Sequence, residues 1–129
     1  MPNYMLLFYA DEANAAETAR RNAERPEWME RAEELSARGV LLANGRLHAA
    51  EAATTVRVVD GETELTDGPF AVTKEILGGY WLVEVPDLDE AVKIAASLPL
   101  ARYGKVEVRP QMTLEEAIRT SEEAVAAGG

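Results

Sequence analysis

The chain contains no cysteine and a single histidine, His48, and these two scarcities exclude several kinds of chemistry. Without thiols there is no disulfide, and one imidazole alone cannot make a zinc site of the usual composition. No segment approaches the roughly 20 apolar residues that a membrane-spanning helix needs. The first residues carry neither a basic cluster nor a cleavage site, so we expect no secretory signal. The sequence therefore predicts a cytoplasmic protein with no membrane partner.

Positive charge is also scarce. Lys and Arg number 13 against 23 Asp and Glu, which gives a formal net charge of −10. A DNA-binding protein gains affinity by neutralising phosphates with basic side chains, so this balance argues against a nucleic-acid partner. The sequence has no glycine-rich phosphate loop and no nucleophile-elbow serine, and we expect no cofactor and no metal. Arg57, Arg102 and Arg109 are candidates for a local basic groove that would hold a small anionic ligand.

What the chain does have is clear strand and helix patterning. Residues 4–9 are apolar throughout, which indicates a strand that is covered on both faces. Two helices are predicted to begin with a capping box, in which side chains three residues apart bind each other's free backbone N–H. The boxes are Asp87 with Glu90 and Thr113 with Glu116. The first of these helices should place five apolar residues against the core: Leu88, Ala91, Val92, Ala95 and Leu98.

The strongest local signal is the Asp-Gly pair at residues 60–61, which is typical of a two-residue hairpin turn. Centring the turn there pairs Arg57 with Glu64 on one face and Val56 with Leu65 on the other. A one-residue slip would lose both pairs. A β-hairpin is therefore predicted in the middle of the chain.

The predicted order is strand, helix, strand, hairpin, strand, helix, strand, helix. Two strand-helix-strand units that flank a hairpin indicate an α+β fold, a ferredoxin-like sandwich with both long helices on one sheet face. We expect this domain to cover residues 1–110, with a C-terminal helical extension at 111–129 that belongs to the same domain and is a candidate dimer arm. Because the helices leave one apolar sheet face uncovered, a second copy is predicted to lie sheet to sheet against the first.

Six short motifs resemble a known family: TTVRV (54–58), TDGPF (66–70), TKE (73–75), GGY (78–80), ARYG (101–104) and VEVRP (106–110). Over about residues 4–110 the chain resembles the DGPF-domain proteins of the YCII-related superfamily. The resemblance implies a dimeric α+β barrel that forms a homodimer, and the cytoplasm predicted above is expected to be of bacterial type. The family's biochemical role is largely unassigned, but some members accompany extracytoplasmic-function sigma factors, which implies an accessory or regulatory role.

The sequence departs from that family at one position. YCII-type relatives carry a histidine after an Arg-Pro pair in the first long helix, suspected of acting with an aspartate. Here the matching stretch is residues 25–28, and Trp28 stands where that histidine would be. A histidine–aspartate mechanism therefore does not carry over on those terms.

The candidate functional residues lie in the middle and at the end of the chain. Asp67 and His48 are the candidate acid–base groups. The candidate ligand-binding residues are Arg57, Lys74, Glu75 and Arg109. Each has a structural alternative: Asp67 before Gly-Pro is also ordinary turn chemistry, His48 can simply be solvated, and the charged candidates can pair with neighbouring residues of opposite charge.

Two functions of different classes follow. The first is a ligand-binding or accessory homodimer, linked to a transcription response and without turnover. The second is a small cofactor-independent enzyme, in which Asp67 or His48 transfers a proton while Lys74 or Arg57 holds an anionic substrate. The missing histidine of the suspected dyad favours the first.

Overall fold

A computed structural model describes residues 1–128. The elements in chain order are β1 (Asn3–Asp11), α1 (Ala15–Ala23), α2 (Arg25–Ala37), β2 (Leu41–Arg46), β3 (Thr54–Val59), β4 (Glu62–Asp67), β5 (Glu75–Glu84), α3 (Leu88–Ala96), β6 (Lys105–Pro110) and α4 (Leu114–Gly128). Short 3₁₀ turns occur at Ala50–Ala52 and Pro99–Arg102. Four strands form an antiparallel sheet in the order β2-β5-β1-β6, while β3 and β4 form a separate hairpin. The predicted ferredoxin-like α+β fold is confirmed.

The core lies between one face of the sheet and the helices α2 and α3. Every second residue of the central strands enters it, because successive side chains of a strand point to opposite faces. The fully or almost fully buried strand residues are Tyr4, Leu6, Phe8, Trp81 and Val83. Leu35 of α2 and Ile94 of α3 pack against them. Burial of each large apolar side chain stabilises the fold by about 1.5–3 kcal/mol.

The start of α3 confirms half of the predicted capping box and corrects the predicted core stripe. Asp87 Oδ1 accepts a hydrogen bond from the Glu90 N–H at 2.9 Å, as an N-cap should. Ala91, Ala95 and Leu98 are buried as predicted. Leu88 and Val92, however, are 49% and 47% exposed, and the sheet is covered by Ile94 instead. The predicted core stripe was therefore placed partly on the outer side of the helix.

The hairpin forms in the predicted register but stands apart from the core. Asp60 and Gly61 have φ values of 51° and 79°, as a primed turn requires. Arg57 lies opposite Glu64, and Val56 lies opposite Leu65. No residue of β3 or β4 is buried; Val56 is 60% and Leu65 is 69% exposed. The hairpin therefore presents apolar side chains to solvent.

The C-terminal helix α4 is likewise formed but unburied. Its capping box is complete, with the Glu116 N–H donating to Thr113 Oγ1 at 3.0 Å and the Thr113 N–H donating to Glu116 Oε2 at 3.1 Å. None of its described residues is buried, and Leu114, Ile118 and Val125 are all more than half exposed. Local capping thus specifies the helix without a packing partner.

Candidate functional site

The candidate residues gather at one end of the sheet. The strands are antiparallel, so β1 and β2 finish at the end where β5 and β6 begin. The hairpin is inserted between β2 and β5 and therefore leaves the body at this same end. We call this the loop end of the sheet. It carries Tyr9, His48, Glu75 and Lys105.

The sheet face turned away from the helices is apolar in its centre. Residues directly opposite one another on neighbouring strands share a face, so the register identifies its members. They are Met5, Leu7 and Tyr9 of β1 with Tyr80 and Leu82 of β5, and all five are only half-buried. We call this surface the open face. It is the uncovered apolar surface that the sequence predicts.

A close contact between β2 and β5 fixes the tyrosine on the open face. Tyr80 lies opposite Gly45, and a Cβ atom added to Gly45 would come within 2.6 Å of the Tyr80 ring. The ring therefore occupies the space that a side chain at position 45 would need. Asn44 and Gly45 both belong to β2, and the register shift of this strand falls between Leu41 and Ala43.

A groove of ≈ 520 Å³ lies where the open face reaches the loop end. Its lining residues come from three strands: Tyr9, Glu75, Lys105, Val106 and Glu107. The Lys105 ammonium is ion-paired with the Glu75 carboxylate across the groove. Tyr9 lies opposite Lys105 in the pairing of β1 with β6. We call this the Lys105 groove; it combines an aromatic ring with charges of both signs.

The four predicted ligand-binding residues are not gathered in one place. Glu75 lines the Lys105 groove. Lys74 precedes it, with its Nζ 4.0 Å from Asp11 Oδ2 and its side chain 86% exposed. Arg109 lies four residues along β6 from Lys105, about 13 Å away at the usual strand rise, and its Nε is 3.9 Å from Glu107 Oε1. Arg57 is on the separate hairpin.

The predicted basic groove of three arginines is also not assembled. Arg102 turns toward α2, where its guanidinium binds the Glu27 carboxylate and lies 3.6 Å from Glu24 Oε2. The hydrogen bond from Arg102 lowers the pKa of Glu27, and the same bond raises the pKa of Arg102. This arginine therefore ties the 3₁₀ turn before β6 to α2, while Arg57 and Arg109 belong to other elements.

Asp67 and His48 are both exposed and lie on different segments. The turn after Asp67 is held by its neighbours, since the Gly68 N–H donates to Ala53 O at 2.7 Å and Thr55 Oγ1 donates to Gly68 O at 2.9 Å. Within residues 1–128, no hydrogen bond or ion pair engages the Asp67 carboxylate, and none joins it to His48. The two acid–base candidates are thus not assembled into a pair.

Trp28, the residue at the family's histidine position, belongs to an aromatic cluster. Its ring packs edge to face against Phe8 and Trp81, with ring centroids 5.3 and 5.7 Å apart. Such pairs add about 0.5–1.5 kcal/mol beyond the area that they bury. Trp28 therefore stabilises the core side of the sheet.

Sequence reasoning missed Tyr9, Lys105 and Glu107 as site residues. All three lie on the open-face side of neighbouring strands, in register with one another. The alternation of residues 105–109 signals which β6 side chains share a face. That face lies beside Tyr9 because β6 pairs with β1. The sequence alone does not predict this pairing.

Two arginines of α1 stack on the Tyr103 ring near the loop end of the sheet. The guanidinium groups of Arg20 and Arg21 lie 4.5 and 5.0 Å from the centre of the Tyr103 ring. Arg21 also donates to the Asp11 carbonyl at 2.9 Å. Burial is the main cause of a raised pKa at Tyr103. These contacts attach α1 to the body although none of its side chains is buried.

Comparison with known proteins agrees with this architecture. The fold defines an α+β protein of the ferredoxin-like class, and the model of the YCII-related domain family matches residues 3–115. The chain belongs to the YCII-related family. A 67-residue segment is 48% identical to an uncharacterised protein of Rhizobium meliloti (strain 1021), covering 50% of this chain and 54% of that relative.

Two further features of the described residues bear on other classes of site. No helix within residues 1–128 is both long and apolar enough to cross a membrane. Nor does that part of the chain bring together three or more His, Cys, Asp or Glu side chains in a cluster able to hold a metal ion.

Proposed function

We propose that this protein is a homodimer that binds a small anionic molecule in the Lys105 groove and acts as an accessory or regulatory protein. The observation that carries the proposal is the apolar open face, which ends at a groove with charged and aromatic walls. Some family members accompany extracytoplasmic-function sigma factors, and this association supports a regulatory role in the cytoplasm.

The open face supports a homodimer. An apolar patch in the middle of a sheet normally marks an interface. The net charge of −10 opposes self-association in general. On the open face, however, the β6 charges alternate, with Lys105 and Arg109 on either side of Glu107. A two-fold interface places the same surface on both partners, so charges of both signs can meet their opposites.

The charges of the Lys105 groove support an anionic ligand. Lys105 is the ammonium at its centre, and Glu75 is its present partner. A carboxylate or phosphate on a small molecule can replace Glu75 as that partner, while Tyr9 contacts the apolar part of the molecule. Lys74, next to Glu75 in the chain, adds a second ammonium nearby.

The alternative is a cofactor-independent enzyme that uses Asp67 or His48 as its acid–base group. The observation in its favour is that the Asp67 carboxylate has no partner among the described residues and so can act on a substrate. The exposure of both residues gives less support, because burial and a specific partner are what usually tune a catalytic carboxylate or imidazole.

A thermal-shift screen of small carboxylates and phosphates tests the binding proposal. A ligand at 100 times its Kd raises the free energy of unfolding by about 2.7 kcal/mol. We expect at least one compound to raise the Tm of the parent protein and to lose this effect in Lys105→Gln. Lys93→Gln is the matched control, because Lys93 is an exposed, ion-paired lysine on α3. A stabilising compound that acts equally on Lys105→Gln would contradict the proposed site.

A further inference from the structure

A second groove, of ≈ 380 Å³, lies beyond the end of β2. Four consecutive residues line it: Arg46, Leu47, His48 and Ala49. Strand β2 is at the opposite edge of the sheet from β6. The two grooves therefore share the loop end of the sheet but are separated by three strand spacings, about 14 Å. We call this second cavity the His48 groove.

The charge of the His48 groove differs from that of its surroundings. Although the chain has 23 acidic residues, no carboxylate lines this groove. Nine of the 13 Lys and Arg side chains lie within 4.0 Å of a carboxylate. Among the described residues, Arg46 has no such partner. Its guanidinium therefore keeps all five N–H donors for water or a ligand.

The backbone that carries these side chains is held by β5 as far as position 47. Arg46 pairs with Gly79 in the sheet, and the Leu47 N–H donates to Gly78 O at 2.9 Å. Gly79 permits a close approach, because a Cβ atom there would lie only 2.7 Å from Gly45 O. Arg46 thus projects from a fixed strand end rather than from a free loop, and His48 follows two residues later.

We propose that the His48 groove is a binding site for a small oxyanion, the phosphate or carboxylate group of a small molecule. A planar guanidinium can donate two parallel N–H bonds to such a group, and an imidazole N–H can donate a third. The absence of a lining carboxylate means that the ligand displaces no internal partner. This site is separate from the Lys105 groove and requires neither the dimer nor the ligand proposed above.

The single histidine makes the proposal directly measurable. His48 gives the only imidazole C–H signals in the proton NMR spectrum of this chain. We would titrate inorganic phosphate at constant pH and constant ionic strength, replacing chloride as phosphate is added. The expected result is a saturable shift of the His48 signals. Acetate titrated in the same way shows whether the site also accepts a carboxylate or selects phosphate.

Four variants locate the effect. Arg46→Gln should weaken phosphate binding at least tenfold, and Arg46→Lys, which keeps the charge but not the paired donors, should bind with intermediate affinity. Arg119→Gln removes an exposed arginine of α4 that also has no ion pair in the described chain, and it should bind as the parent does. Lys105→Gln should also leave the His48 response unchanged, which separates this site from the Lys105 groove.

The result that overturns the proposal is equally specific. A shift that rises linearly without saturation, or one that is the same for chloride and phosphate, would mean that no oxyanion site exists. A full response in both Arg46 variants would remove the guanidinium from the site. Circular dichroism of each variant confirms its fold, and the Arg46→Lys variant keeps the test decisive if Arg46→Gln does not fold.

Discussion

The sheet with its packed helices and the region of the hairpin and α4 contain similar apolar residues. These residues are buried in the first region and exposed in the second. Trp81 in the sheet is 5% exposed, whereas Phe70 just after the hairpin is 91% exposed. Leu35 of α2 is 1% exposed, whereas Leu114 of α4 is 78% exposed. An isolated two-stranded hairpin is at best marginally stable in water. The comparison indicates that the core between the sheet and the helices is buried within a single chain, whereas the apolar side chains of the hairpin and α4 stay exposed.

Truncating one leucine in each region should give the largest difference in the free energy of unfolding. We expect Leu35→Ala to reduce the free energy of unfolding by about 2–5 kcal/mol, because it leaves a cavity in the core. Leu65→Ala in the hairpin should change it by less than about 0.5 kcal/mol, since that side chain contacts no core. Urea denaturation at low protein concentration measures both. Equal losses would show that the hairpin is part of the cooperative core.

The helix caps provide a second comparison with a smaller effect. Asp87→Ala removes the N-cap of α3, which packs on the sheet, and should reduce the free energy of unfolding by about 1 kcal/mol. Thr113→Ala removes the equivalent cap of α4, which buries none of its described residues. We expect it to reduce the helical signal in circular dichroism without shifting the urea midpoint. A midpoint shift as large as that of Asp87→Ala would mean that α4 is docked on its own subunit.

The smallest effect concerns the exposed ion pair between Arg102 and Glu27, which joins the 3₁₀ turn to α2. The pKa of Glu27 lies below its usual 4.5 in the folded protein. A lowered folded pKa stabilises the protein above the unfolded pKa, and this stabilisation is lost as pH falls through the folded value. The parent should therefore be slightly more stable than Glu27→Gln at pH 7, and the difference should shrink as the pH falls below 4.5 and through the lower folded pKa. A difference that persists unchanged at pH 3 would contradict this.

The sequence predicts the features of this protein that depend on neighbours in the chain. The turn at residues 60–61 and the capping box at Thr113 are local, and both are confirmed. The register of the hairpin follows from its turn. These signals specify that an element forms, and they operate equally in the buried and the exposed region.

Features that depend on distant segments could not be read from the sequence. Leu88 and Val92 fit a helical stripe, but the sheet faces the other side of α3. The Lys105 groove exists because β1, β5 and β6 bring Tyr9, Glu75 and Lys105 together. A strand pattern identifies the face of each residue but not the strand beside it, so the sequence identified Glu75 and missed its two neighbours.

The most direct test of the account is the mass of the protein in solution, because a paired open face is its central claim. Sedimentation equilibrium at micromolar concentration should give twice the 14.1 kDa of one chain. Leu82→Arg, at the centre of the open face, should give 14.1 kDa, while Leu88→Arg on the exposed side of α3 should remain dimeric. A parent protein that stays at 14.1 kDa across this concentration range would contradict the account.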